Sequence, residues 1–390
     1  MSDTVAPPAT TTVATPATKS PAPSSRRWGR AATFVGGALV LLALPLYVSS
    51  FWLQIGLFAM SAAVGAIGLN ILLGTAGQLS LGHSFFLAVG AYGYAWFAGD
   101  AGRAGTLDLS GLNAPPLVAF VLAVLAAGLA GVLFSPISGR LRGLYLGVAT
   151  LALVYVGQHV LLNAKSVTGG FNGRRVPAME VLGFPLADSG AAQLLVMGVP
   201  FDRLERLWYF GLIIVAIAWF LAHNLLRGRS GRALGALRDS EIAASVMGVP
   251  VARYRAAAFT VSSMYAGAAG ALLGLTYERI VPDSFGIMVS VNFLAMIVIG
   301  GLGSVGGAIV GAVFVSSLPH VIGHYATHLP LVVPAGSIEQ GILPVEASNY
   351  LYGAAILIVM IFAPGGLAAI PRAISARRRR RRSRGGPTSS

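Results

Sequence analysis

The chain has 390 residues, 55% of them hydrophobic and only 10% charged, with a mean hydropathy of +0.75. Soluble domains carry roughly 25% charged residues, so an ordinary water-soluble enzyme is excluded. The formal net charge of +14 would suit nucleic acid, but the charges flank apolar blocks rather than forming one patch; the absence of cysteine excludes disulfides and thiolate metal sites.

Residues 1–25, rich in Pro, Ala, Thr and Ser, read as a disordered tail. Ser25-Arg26-Arg27 has the form of a twin-arginine signal, but no small-x-small cleavage site follows "LPLYVSSFW". The first apolar run is therefore read as an uncleaved span. Windows of about twenty apolar residues, enough to cross ~30 Å of hydrocarbon, fall near 31–49, 51–73, 83–99, 115–138, 144–162, 208–226, 256–276, 286–303, 304–323 and 349–370. The expected fold is all-α, a polytopic transmembrane bundle of about ten spans with re-entrant or broken segments. The expected organisation is a tail over 1–30, a membrane domain over 31–370 and a polybasic tail over 371–390.

Between the second and third spans lies "GTAGQLSLGHSFF", residues 74–86, with polar side chains where almost no loop length is available. Backbone that leaves the helix at membrane depth must be buried in protein or line a watery cavity. Gly74, Gly77 and Gly82 permit the turn, while Gln78, Ser80 and His83 offer hydrogen bonds without fixed charge. The stretch is read as part of a solute pathway, the alternative being a self-satisfying helix contact. Asn70 precedes this cluster as Asn292 precedes "GGLGSVGG" at 300–307, which contains Gly300, Gly301, Gly303 and Ser304. A parallel internal repeat and chance coincidence both account for that likeness.

The loop 227–255 holds a second signal. Asp239 is a plausible N-cap, and Glu241 falls in the first turn, where the helix dipole favours an acid. Ile242, Ala243, Val246 and Met247 make an apolar face, and Gly248 followed by Pro250 stops the helix. Two turns are not stable alone in water, so the element needs a partner surface. Farther on, His320, His324 and His328 are spaced four apart. One ion cannot reach positions eight apart, about 12 Å on a helix, so a histidine-rich external helix end is preferred over a metal site. The run Arg377–Arg382 with Arg384 is read as anchoring the last helix beside anionic lipid.

With the N-terminus cytoplasmic, 20 of the 27 Lys and Arg fall on the cytoplasmic side, as the positive-inside rule requires for both termini inside. Trp28, Trp52 and Trp208 lie at span ends, as interfacial anchors would. None of the ten windows contains Asp, Glu, Lys or Arg. Ion-coupled carriers generally need such groups in the membrane, so energy is expected to enter from outside the bilayer. An intramembrane enzyme is disfavoured too, because the buried polar residues form no catalytic set.

Glu241-Ile242-Ala243-Ala244 with Gly248 resembles the "EAA…G" coupling motif of ABC importer permeases. "GLNILLGTAGQLSLGHSFFLAVGAY" (68–92), "RGLYLGVATLAL" (142–153), "TGGFNG" (168–173), "VPDSFG" (281–286) and "FLAMIVIGGLGSVGGAIVGAVF" (293–314) resemble blocks of the branched-chain amino acid permeases, the LivM-type subunit in particular. The resemblance implies a bacterial plasma-membrane protein that works with a second homologous permease, two ATPase subunits and an external substrate-binding protein. It implies that Asp239–Gly248 couple to the ATPases, with alternating access around the two glycine clusters. No GxxxxGK[ST] loop occurs, so no ATP site or other cofactor is expected in this chain. Within the family, urea or short amides are the alternative cargo.

Overall fold

The computed structural model describes residues 36–104, 107–181, 184–186, 195–196, 199–200, 202–328, 332–333, 341–363 and 365–367. The two terminal tails, Trp28 and the arginine run lie outside the described residues. The chain divides into two units, Met1–Tyr47 and Val48–Ser390. In the first, α1 (Gly36–Leu46) is a short apolar helix that ends in a 3-10 turn.

The second unit is a helical bundle. Its long apolar helices are α2 (Ser50–Leu69, continued to Thr75), α4 (Pro116–Arg140), α5 (Leu144–Asn163), α7 (Arg203–Arg227), α10 (Val251–Tyr277), α11 (Ile287–Gly300, preceded by a turn from Pro282), α12 (Val305–His324) and α13 (Pro344–Phe362). α3 (His83–Phe97) is shorter, α6 (Lys165–Thr168) is a single turn, and α8 (Arg229–Asp239) and α9 (Glu241–Val246) fill the loop before α10. Among the described residues eight helices are long and apolar enough to cross a membrane, and α1 and α3 are shorter apolar helices. The window 83–99 yields only the fifteen residues of α3, because the preceding chain climbs back beside α2 before helix resumes. The window 31–49 yields only α1.

α2 is buried along nearly its whole length, with α10, α12, α7 and α11 around it. The outer helices keep apolar side chains on their surfaces, including Leu129, Leu133, Tyr155, Ile213 and Ile358. That is the pattern of helices facing lipid rather than water. Helix contacts are set by glycine: a β-carbon at Gly270 of α10 would overlap the Leu87 carbonyl of α3, and one at Gly311 of α12 would overlap the Met296 carbonyl of α11. In lipid, such close backbone approach supplies the packing that drives helix association. Trp208 departs from its expected role as an interfacial anchor. It is buried against Gly56, where absence of a side chain leaves room for the indole.

The bundle has two chemically distinct ends. At one, α8 and α9 lie beside the C-terminal ends of α2 and α4 and the start of α10. At the other, Arg174–Arg175 pairs antiparallel with Arg279–Ile280, which brings the "TGGFNG" and "VPDSFG" segments together. Gly173 (φ +69°) leaves no space for a β-carbon beside the Ile280 carbonyl. Arg174 is buried there and donates to the carbonyls of Ser110 (2.6 Å) and Val167 (2.9 Å). Burial holds its guanidinium below the usual arginine range.

Replacing Gly270 by Val should lower thermal stability in detergent by the ~1–3 kcal/mol typical of overpacking. Gly353, which has open space around it, should accept Ala without loss. Thermal unfolding of the two variants measures the contrast.

Candidate functional site

α2 does not end where its pattern stops. Asn70–Thr75 widens into a π-helical turn, and the chain then turns back as Ala76–Gly82 before α3 begins at His83. Gly77 (φ +69°) makes the reversal where a β-carbon would press on the Arg238 side chain of α8. The π turn itself accepts the first backbone donors: Ala76, Gly77 and Gln78 donate to the carbonyls of Ile71, Leu73 and Leu72. Hydroxyls serve the next ones. Leu81 N–H donates to Thr150 Oγ1 (2.9 Å), Gly82 N–H to Ser80 Oγ (3.3 Å) and Ser84 N–H to Ser290 Oγ (2.9 Å). Side chains of α5 and α11 thus accept from backbone in and beside the break, as a hydrocarbon surround demands.

His83 marks how far the chain has climbed. Its ring packs on Phe293 (centroids 4.9 Å apart), whose own ring closes on Gly65 of α2. Gly65 lies ten residues before Thr75, so α3 starts about 15 Å along α2 from its end. His83, Gln78 and Ser80 are all buried. Gln78 Nε2 donates to the Arg255 carbonyl (3.2 Å), whereas Gln78 Oε1 and His83 Nε2 have no partner.

The second glycine cluster packs on the first. Gly301 (φ +114°) and Gly303 (φ +78°) carry the chain from α11 to α12, and Ser304 caps α12 by accepting from Gly307 N–H (3.2 Å). Gly303 N–H donates to Asn70 Oδ1 (2.8 Å), and Arg238 Nη1 donates to the Gly74 carbonyl (2.9 Å). A β-carbon at Gly74 would overlap Gly303, and one at Gly300 would overlap the Gly307 carbonyl. Asn70, Gly74, Gly77, Gly300, Gly301, Gly303 and Ser304 therefore form one junction over α8. Asn292 is not part of it. It lines a separate cavity of 170 Å³ bounded by α2, α3, α10, α11, α12 and α13.

α9 sits on the same end. Asp239 is not its N-cap: helical geometry persists through Asp239 in α8, where it pairs with Arg238 (3.2 Å), so the cap moves one residue on. Ser240 has extended backbone and its hydroxyl accepts from Ala243 N–H (3.3 Å). Glu241 faces inward, ion-paired with Arg255 of α10 and with Arg142 between α4 and α5 (3.3 Å). Ala244 is buried, and Gly248 (φ +81°) ends the helix. Ile242, Val246 and Met247 are 78%, 83% and 80% exposed; with Ala243 they form an unpartnered apolar face on the chain as described.

The sequence reading missed the connecting groups. Arg238 and Arg255 read as cytoplasmic loop charges, and nothing local marks Thr150 or Ser290 as partners for backbone more than sixty residues away. The histidine set divides: His320 stacks on Phe58 (4.7 Å), His324 stacks on Phe51 (4.2 Å), and His328 lies in a 3-10 turn. Among the described residues no group of three His, Asp or Glu is placed to hold a metal ion.

Residues 51–362 match the family described as "Branched-chain amino acid transport system / permease component". The chain is 31% identical over 343 residues to the high-affinity branched-chain amino acid transport system permease protein LivM of Salmonella typhimurium, covering 86% of this chain and 74% of that protein. It is 30% identical to LivM of Escherichia coli with the same coverage. It is 24% identical to BraD of Pseudomonas aeruginosa over 64% of this chain and 78% of that one. No solved structure matches. The chain belongs to the branched-chain amino acid transport permease family.

Proposed function

We propose that this chain, a permease translocation subunit of an ABC importer, carries branched-chain amino acids across a bacterial plasma membrane with both termini cytoplasmic. A second homologous permease completes the pathway, an external binding protein delivers substrate, and two ATPase subunits dock at α9. ATP hydrolysis belongs to those partners. The names of its relatives support the cargo, and the positive-inside bias supports the orientation.

The observation that carries the coupling assignment is the division of labour within α9. Its acid is turned inward onto two arginines, while its apolar side chains are left exposed on the same short helix. A two-turn helix held by its own protein through Glu241 can present Ile242, Val246 and Met247 to a partner groove as a rigid unit. Displacement of α9 then acts on Arg255, whose carbonyl holds Gln78. Displacement of α8 acts on Arg238, which holds Gly74. Both leads end in the glycine junction, so nucleotide-driven motion would open or close the pathway there.

Val246→Asp with Met247→Asp should abolish co-purification of the ATPase while membrane insertion is unchanged. Glu241→Gln should weaken coupling instead: buried Arg255 loses its charged partner, at a local cost of about 1–3 kcal/mol. Undiminished ATPase binding by the double variant would refute the docking assignment. Asn70→Leu strands the Gly303 N–H, and Gly77→Leu forces a side chain into left-handed backbone against Arg238. Each should reduce ATP-driven uptake at least tenfold in reconstituted vesicles while the subunits remain associated.

A further inference from the structure

The 170 Å³ cavity between α2, α3, α10, α11, α12 and α13 lies on the far side of the glycine junction from α9. Its lining contains no Asp, Glu, Lys or Arg. Leu87, Phe293 and Met296 supply apolar wall; Ser61, Asn292, Ser316, His320 and Tyr352 supply polar atoms, and the other titratable group facing in is Tyr277. Some of these polar groups are already used. Ser61 Oγ donates to the Ala269 carbonyl (2.7 Å) and Tyr352 OH to the Val315 carbonyl (2.7 Å).

Three are not. Ser316 Oγ is buried without a partner, and the Asn292 amide has none among the described residues. His320 is the informative one. Its Nδ1 lies 3.0 Å from the Ser316 carbonyl, and a carbonyl can only accept. A ring that carries a single proton holds it on Nδ1 in this contact, and Nε2 is then a lone-pair acceptor. Stacking on Phe58 fixes the ring plane.

An acceptor beside two groups that can donate, in an apolar chamber without fixed charge, is complementary to a small zwitterion with an apolar side chain. Drug-sized sites span ~300–1,000 Å³, so this smaller volume suits a solute of amino-acid size. We propose that the cavity is a substrate station in which His320 Nε2 accepts the α-ammonium of an aliphatic amino acid, while Ser316 and Asn292 donate to its carboxylate. The proposal rests on the reading above that the chain passes such solutes, and it assigns His320 a specificity role.

The chain has no cysteine, so Ser284→Cys at the cavity wall gives this chain a single reporter thiol, read in the assembled transporter on this chain's own band after the subunits are separated. Alkylation by N-ethylmaleimide is followed with leucine or with 4-methyl-2-oxopentanoate, which keeps the carboxylate and side chain but lacks the ammonium. Leucine should slow labelling and the oxo acid should not. Adding His320→Leu should raise the leucine concentration for half-protection about tenfold, the scale of one charge-assisted hydrogen bond, and His320→Gln should largely restore it. Equal protection by the oxo acid, or unchanged protection with His320→Leu, would overturn the assignment. Absence of any leucine protection in an assembly that still imports leucine would also overturn it, leaving the proposed function standing. Failure of the unaltered assembly to import leucine would instead count against that function.

Discussion

Backbone amides inside a hydrocarbon layer must find acceptors within the protein, and this constraint organises the centre of the bundle. Leaving helical geometry after Asn70 exposes donors and acceptors that each cost several kcal/mol if unmet in lipid. The π turn, Thr150, Ser80 and Ser290 accept from the N–H groups of Ala76, Gly77, Gln78, Leu81, Gly82 and Ser84. Asn70 and Arg238 tie it to the second glycine cluster and to α8. Glycine is required where these backbones touch, since any side chain at Gly74 would displace Gly303. The junction is therefore stiff in position yet held by only a few polar contacts, which suits an element that must adopt two arrangements.

Those contacts lead to α8 and α9. Glu241 pairs with Arg255 and Arg142, so α9 is fastened to both α10 and the α4–α5 turn. Arg255 in turn holds Gln78 through its carbonyl, and Arg238 spans Asp239 and Gly74. A contiguous chain of polar contacts thus runs from the exposed apolar face of α9 to the glycine break. Such packed and hydrogen-bonded networks are one route by which one site can bias another. Across the junction, Phe293 touches both His83 and the polar cavity, placing the break against one wall of that chamber.

The helical class and most of the helices were legible because long apolar windows admit little else in a membrane. The glycine break was legible for the complementary reason: polar residues and glycines with no loop to occupy imply backbone that is not helical. Its consequence was not legible. α3 begins beside Gly65 rather than at the end of α2, and no local pattern states how far an extended segment climbs. The same limit applies to Asp239, whose capping ability is intrinsic but whose use depended on where α8 stopped. Arg238 and Arg255 looked like topology charges because their acceptors, Gly74 and Glu241, become neighbours only in the folded bundle. The spacing of His320, His324 and His328 did not show that His320 also stacks on Phe58 and lines the cavity, because α2 and α12 meet only in the folded bundle.

The most direct test of the account is the ratio of solute imported to ATP hydrolysed when Arg238 is replaced by Met in the complete reconstituted assembly. Methionine keeps much of the side-chain bulk against Gly77 but cannot donate to the Gly74 carbonyl. If that contact passes motion from α8 and α9 into the break, as proposed, hydrolysis should persist while uptake per ATP falls at least tenfold. An unchanged ratio, with subunits assembled as before, would contradict the account.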